Sequence, residues 1–513
     1  MIQPESPPDH SHRDLAPDAA QSSILRLSFC LASIALGLLL IWGILEFSGF
    51  KVQKLEGFLA ADGSFDGPAS MAIRAMNIGL PAAAITLLII SVLWLLFERF
   101  HWSPFRLRER SFLLFIIILK LGLSLAYIYS MPYQPWTDDH WYLTAAQHLS
   151  QGINPHINGQ PTALWPIGYP MILSVFFRIF GATVIVAQWV NVLTLVGITL
   201  LTYHLGKDLF GTATARRAAL VIALMPSQIF FALPIMSDPL QALLMLGLIY
   251  LAIKPLNRWR TISMGLIFGF SILVKPVILF FPAFLALYWY WKGEPLRSTI
   301  FTTAWILILG IITVIPWQIR MQRDFGRFAL VSTQGGHNIL QGNNPRASGG
   351  TMDVRDFVPD SLLKRFSTLN EAERDALMAQ TGIEWIKNNP LWAMRLWIKK
   401  FIVLFYEDSK CVSRSVHLSY VDLPAAMVAT MIFLTEGYYY ALGLAFLLAS
   451  VGFLRRERLT ARSWLIYGTL LYTIAIHLPF TAEGRYHTVL LPLFAMIAVW
   501  AMKETTSRPK KAA

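Results

Sequence analysis

Fixed charge is scarce in this chain of 513 residues: Asp, Glu, Lys and Arg together make up 14%, where soluble domains carry about 25%. Hydrophobic residues reach 55% and come in runs close to the roughly 20 residues that cross a bilayer. An ordinary soluble domain is excluded. Cysteine is scarcer still. Cys30 and Cys411 stand far apart, which excludes a disulfide framework and a thiolate metal motif. Acidic residues are outnumbered by basic ones, giving a formal net charge of +13. The basic residues sit in short loops between apolar runs, the bias of cytoplasmic loops, so a nucleic-acid partner is not expected. No repeat of 20–50 residues is found, and no inverted pseudo-symmetry of the kind transporters show.

What is present, in order, is a polar N-terminal segment and then a series of spans. Residues 1–24 are rich in Pro, Asp, Ser and His and read as a disordered cytoplasmic tail. The apolar run after them is too long, and its leader too acidic, for a cleaved signal peptide. Residues 25–111 hold two spans, near 25–48 and 76–97, and a loop with Arg99, Arg106, Arg108 and Arg110. That loop is expected inside, and 131–181 therefore outside. Further spans are expected near 112–130, 182–204, 218–236, 238–254, 261–274, 276–292, 299–318, 424–454, 463–480 and 486–502. The segment 166–180 is too short to cross comfortably and opens with two prolines, so it is expected to lie in the interface. The same holds for 389–408, whose Arg395, Lys399 and Lys400 are expected to meet lipid headgroups. The fold class is an all-α polytopic membrane protein with about twelve transmembrane helices, interfacial helices and two large outer loops. Its parts are a membrane core over 112–318 with the outer loop 131–181, a second outer loop over 319–423, and C-terminal helices with a cytoplasmic tail over 424–513.

One stretch stands out. From Met131 to Phe177 the chain has no Lys or Arg, and Asp138 and Asp139 are its only fixed charges. An isolated acidic pair beside the membrane is a functional hypothesis by default. An Asp ahead of a helix is also a good N-cap, and His140 to Leu149 has helical spacing. Three more outer-facing features accompany it: Ser237-Asp238-Pro239, Val274-Lys275-Pro276, and Glu483-Gly484-Arg485-Tyr486.

Asp138-Asp139 followed by Tyr142, Ala145, Leu149 and Gly152, and then by Pro166-x-Gly168-Tyr169-Pro170, resembles the GT-C membrane glycosyltransferases that use polyprenyl-phosphate sugars. Lipid A aminoarabinose transferases, protein O-mannosyltransferases and bacterial lipopolysaccharide sugar transferases belong to that group. The resemblance spans roughly 112–502, leaving the two N-terminal spans as additions to a GT-C-like core. Two departures are evident. The acid pair of the family is commonly Asp-Glu, and a Lys that the aminoarabinose transferases carry before the Pro-x-x-Gly-Tyr stretch is Trp165 here.

The resemblance implies catalytic roles for Asp138 and Asp139, with Asp138 the first choice as base and Asp139 orienting it or binding acceptor. It implies substrate-binding roles for Asp238, Lys275, Tyr142, Tyr169, Glu483, Arg485 and Tyr486. The partners would be a polyprenyl-phosphate sugar donor, a lipid, glycan or protein acceptor, and membrane lipids. No cofactor is expected. His140, His148, His156 and His337 have no spacing that matches a metal site, and the sequence does not demand a divalent ion. The expected place is the inner membrane, with the site on the periplasmic face and both termini cytoplasmic. Two rival readings are an O-antigen ligase or polymerase, which relies on late-loop Arg and His, and a lipid-linked sugar flippase.

Overall fold

In a computed structural model of the protein, the described residues are 34–39, 79–89, 91–92, 105, 107–327, 331–366, 368–416, 423–457 and 460–505. The tail 1–24, most of the two N-terminal spans and the end of the C-terminal tail lie outside them. The chain is an all-α integral membrane protein. Among the described residues five helices are long and apolar enough to cross a bilayer: Glu109–Ser130, Val184–Phe210, Leu296–Phe325, Ala425–Arg456 and the segment Gly484–Ala501.

The elements follow the hydropathy pattern with two revisions. Helix α1 is Glu109–Ser130, α2 is Asp138–Ser150, and a two-residue hairpin pairs β1 (His156–Ile157) with β2 (Gln160–Pro161). Helix α3 (Gly168–Phe180) has 13 residues, about 20 Å of rise and too short for a roughly 30 Å core. Helix α4 (Val184–Phe210) follows. The expected single span 218–236 is instead α5 (Thr212–Leu224), a break, and α6 (Pro226–Phe230). Pro226 has no N–H to continue the α5 ladder and is favoured as the first residue of a new helix. Then come α7 (Asp238–Ile253), α8 (Arg258–Val274), α9 (Phe281–Lys292) and α10 (Leu296–Phe325). The second polar segment holds α11 (Gly335–Gly342), α12 (Glu371–Asn388), α13 (Pro390–Phe405) and α14 (Lys410–Val416). Helices α15 (Ala425–Glu457), α16 (Ala461–His477) and α17 (Leu491–Thr505) complete the bundle, with a 3₁₀ stretch Gly484–Leu490 leading into α17.

The second revision concerns α13. Lys399 and Lys400 do not face lipid: both are buried, and Lys400 donates to Asn343 Oδ1 at 3.1 Å and to the Leu478 carbonyl at 2.8 Å. The Lys400 ammonium is held by the protein instead, by Asn343 just after α11 and by the residue that follows α16.

Small residues bring the helices of the core together. A Cβ on Gly265 would stand 2.6 Å from Leu309 Cβ, and one on Gly269 would stand 2.5 Å from Thr313 Cβ. This Gly-x-x-x-Gly face lets α8 lie directly on α10, the usual route to close helix packing in lipid. Gly168 works the same way at the site. A Cβ there would meet the backbone of Leu273 and Val274 at 2.7 Å, so the start of α3 is pressed against the residues that lead into Lys275.

Candidate functional site

The acidic pair splits at the first turn of α2. The residue ahead of the helix is Thr137, with φ of 54°, and no side chain caps the helix. A threonine at positive φ is strained, and the strain falls directly before Asp138. Asp138 therefore is not spent as a helix cap. Its Oδ1 accepts from Trp165 Nε1 at 3.2 Å, and its Oδ2 lies 3.3 Å from Arg414 Nη2 and 3.7 Å from Arg485 Nη2. Asp139 turns the other way and is fully buried. It accepts from the Tyr133 hydroxyl, which in turn accepts from the Ile235 N–H at 3.1 Å. Burial pushes the Asp139 carboxyl up to about 7. Asp139 thus ties the loop ahead of α2 to the segment between α6 and α7.

Three distant parts of the chain, at Trp165, Arg414 and Arg485, meet Asp138, and Arg485 links it to further charged groups. Asp238, in the first turn of α7, binds Lys275 Nζ at 2.5 Å and lies 3.8 Å from Arg485 Nη1. Glu483 holds Arg485 Nε at 2.5 Å, so its carboxylate orients the guanidinium rather than standing free. Arg485 reaches Asp138, Asp238 and Glu483 together. Lys275 lies 4.8 Å above the Tyr486 ring, which stacks on His477. Beside these groups is a cavity of about 40 Å³ lined by Asp238, Lys275, His477, Arg485 and Tyr486. Three carboxylates (Asp138, Asp238, Glu483) and three cations (Lys275, Arg414, Arg485) balance here, and Lys275 and Arg485 stand on the wall of the cavity. Such a cluster can hold the oxygens of an anionic group by charge-assisted hydrogen bonds.

Tyr142 and Tyr169 form the floor. Tyr142 shares a hydrogen bond of 3.2 Å with Ser237 Oγ, and Tyr169 donates to Asn191 Oδ1 at 2.6 Å, while their rings meet edge to face at 5.3 Å. Both are buried, and Tyr142 braces Ser237, the residue ahead of Asp238. His148 and His156 stack at 4.0 Å, whereas His337 packs on Phe357 elsewhere. Among the described residues no three of His, Cys, Asp and Glu come close enough to hold a metal ion.

Two partners of the site escaped the sequence reading. Arg414 on α14 is 276 residues from Asp138, in a segment whose composition sets it apart from no other. Its placement depends on a buried anchor. His487 Nδ1 donates to the Leu404 carbonyl at 2.8 Å and Nε2 faces Asp408 Oδ1 at 3.1 Å, while Glu436 accepts from the N–H groups of Asp408 and Ser409. Trp165, which the sequence marked as a departure from the aminoarabinose transferases, donates to Asp138, and its indole lies 4.9 Å from Trp141.

Residues 165–319 match the family model described as dolichyl-phosphate-mannose-protein mannosyltransferase. The match covers α3 to α10, including Tyr169, Asp238 and Lys275, and agrees with the resemblance read from the sequence. Sequence comparison with curated proteins gives no significant match. Among solved structures, ArnT from Cupriavidus metallidurans bound to undecaprenyl phosphate is similar over 78% of this chain and 76% of that one, at 15% identity and a TM-score of 0.42. The archaeal oligosaccharyltransferase AglB from Archaeoglobus fulgidus, in complex with an inhibitory peptide and a dolichol-phosphate, is similar over 76% of this chain and 50% of that one, at 13% identity and a TM-score of 0.44.

Proposed function

We propose, from the premise that residues 165–319 belong to a GT-C-type membrane glycosyltransferase family, that the protein transfers a sugar from a polyprenyl phosphate to an acceptor hydroxyl at the non-cytoplasmic face. The observation that carries this reading is the position of Asp138. Its carboxylate lies between Arg414 and Arg485, Arg485 leads on through Asp238 to Lys275, and it is not consumed by a helix cap. A carboxylate has about four lone-pair sites, and one can take the acceptor proton as the hydroxyl attacks the anomeric carbon. The new glycosidic bond forms as the bond from that carbon to the phosphate oxygen breaks. The leaving polyprenyl phosphate carries the negative charge away, and Lys275 and Arg485 stabilise it while it departs. Attack from the side opposite the phosphate gives inversion. Asp238 and Glu483 hold the two cations at their stations, and Tyr486 covers Lys275 with its ring.

The test is transfer from defined polyprenyl-phosphate sugars by the purified protein. Asp138→Asn removes the base and keeps the shape, and is expected to lower turnover by about 10²–10⁴-fold with the protein still folded in the membrane. Full turnover by that variant would overturn the base assignment and favour a ligase-type reaction resting on the late arginines.

A further inference from the structure

A second, larger cavity lies next to Thr137 and Trp165, the neighbours of Asp138. It measures about 570 Å³, inside the roughly 300–1,000 Å³ of small-ligand sites. Its wall is formed by α2 and by the β1–β2 hairpin, and it shares no lining residue with the cationic cavity. Trp165 and Thr137 line it, and both touch the Asp138 machinery: the Trp165 indole N–H donates to Asp138, and Thr137 Oγ1 accepts from Arg414.

The lining chemistry is distinctive. It contains no Lys, Arg, Asp or Glu. The polar groups are His140, His148, His156 and Thr144, with Asn158 at the hairpin turn. Imidazole, hydroxyl and amide groups both donate and accept hydrogen bonds, as sugar hydroxyls do. His148 Nδ1 is buried without a hydrogen-bond partner, and burial together with neighbouring His156 holds this imidazole below the usual histidine range. The apolar part is the pair Trp141 and Trp165, with ring centroids 4.9 Å apart, a surface suited to the C–H face of a pyranose.

The wall is also pre-formed. Arg320 on α10 donates from Nη2 to the carbonyls of Pro155 at 3.1 Å and Thr162 at 3.0 Å, so it clamps both ends of the hairpin. Glu371 on α12 accepts from Thr162 Oγ1 and the Ala163 N–H, each at 2.8 Å. Preorganisation of this kind lowers the ordering cost of binding.

We infer that this cavity binds the acceptor, and that the acceptor is an uncharged sugar residue of a glycan or glycolipid rather than a phosphate group or a protein hydroxyl. The inference rests on the reading of Asp138 as base, since it is that carboxylate which an acceptor hydroxyl in the cavity would reach. A phosphate acceptor would find no cation on this wall. An inverting displacement needs the acceptor hydroxyl and the leaving phosphate on opposite faces of the donor's anomeric carbon, with Asp138 on the acceptor's side.

The experiment uses the full chain in lipid nanodiscs, fluorescently labelled, on a printed array of neutral oligosaccharides, phosphorylated oligosaccharides and Ser/Thr peptides. The Asp138→Asn variant is applied first, because it binds without turnover. Binding to at least one neutral oligosaccharide is expected. Thr144→Trp, which fills the cavity, should weaken that binding at least tenfold, and His148→Ala should weaken it as well, with thermal melting reporting that each variant is folded. Binding confined to phosphorylated glycans or to peptides would overturn the inference. So would the absence of binding to any neutral glycan, or binding that neither variant reduces. Array binding reports on the cavity alone, whereas turnover of Asp138→Asn reports on the base, so the two readings fail separately.

Discussion

Asp138 and Asp139 are adjacent in the chain and opposite in environment, and that difference can be measured. Asp139 is fully buried, with its carboxyl pushed up to about 7 by burial, against a value near 3.9 in an unfolded chain. Between pH 4 and 7 the folded state therefore holds a proton that the unfolded state releases. Stability contributed by that proton is present below pH 4 and is lost as pH rises towards 7. Asp139→Asn keeps an acceptor for Tyr133 and removes the titration. Its melting temperature relative to the wild type should climb between pH 4 and 7, towards a difference on the order of 4 kcal/mol. A melting difference that stays flat over this range would show that Asp139 is not a buried titrating group. At this scale the sequence made the pair conspicuous by the lack of any other charge around it. It could not separate the two carboxylates, because which one turns inward depends on Tyr133 and Ile235, brought together from either side of five helices.

Among the elements, α3 shows how a short helix can set the position of a remote lysine. Gly168 allows its first turn to rest on the Leu273–Val274 backbone, and Lys275 is the next residue. Gly168→Ala would place a methyl group 2.7 Å from backbone atoms that cannot move aside as a side chain can. The expected cost is about 1–3 kcal/mol, read as a lower melting temperature, together with reduced turnover as Lys275 shifts away from Asp238. Gly122→Ala is the control, since nothing lies within 4 Å of its added methyl; it should be neutral or slightly stabilising. Equal effects of the two substitutions would argue against this packing. Periodicity and length made α2, α3 and α13 legible as short helices. The break at Met225-Pro226 was missed because the run 218–236 is apolar throughout, and only the proline marks where the ladder stops. The burial of Lys399 and Lys400 was missed for a related reason: an amphipathic sequence says which face is basic and not what that face will meet.

For the whole molecule, the charge pattern makes one prediction about sidedness. Loops rich in Lys and Arg are expected inside, and the uncharged stretch that carries Asp138 outside. In a background with Cys30 and Cys411 replaced by Ser and Ala, a cysteine placed at exposed Gln151 should react with a membrane-impermeant maleimide in intact cells or spheroplasts. One placed at exposed Arg258 should react only after permeabilisation. The reverse pattern would invert the topology and with it the proposed face of catalysis. The sequence by itself determined that this chain is an all-α membrane protein and where its acidic pair lies, because hydropathy and charge act locally on each segment as it meets the bilayer. It also held, in order, the features that carry the resemblance: the acid pair, the Pro-x-Gly-Tyr-Pro turn, Asp238, Lys275 and Arg485. The tertiary structure alone decided that Asp138 rather than Asp139 meets the cations, that Arg414 joins them beside the His487–Asp408 anchor, and that partners of Asp138 line two separate cavities, Arg485 one and Trp165 the other. These follow from contacts between residues hundreds of positions apart, whose energies depend on burial and geometry that no local pattern encodes.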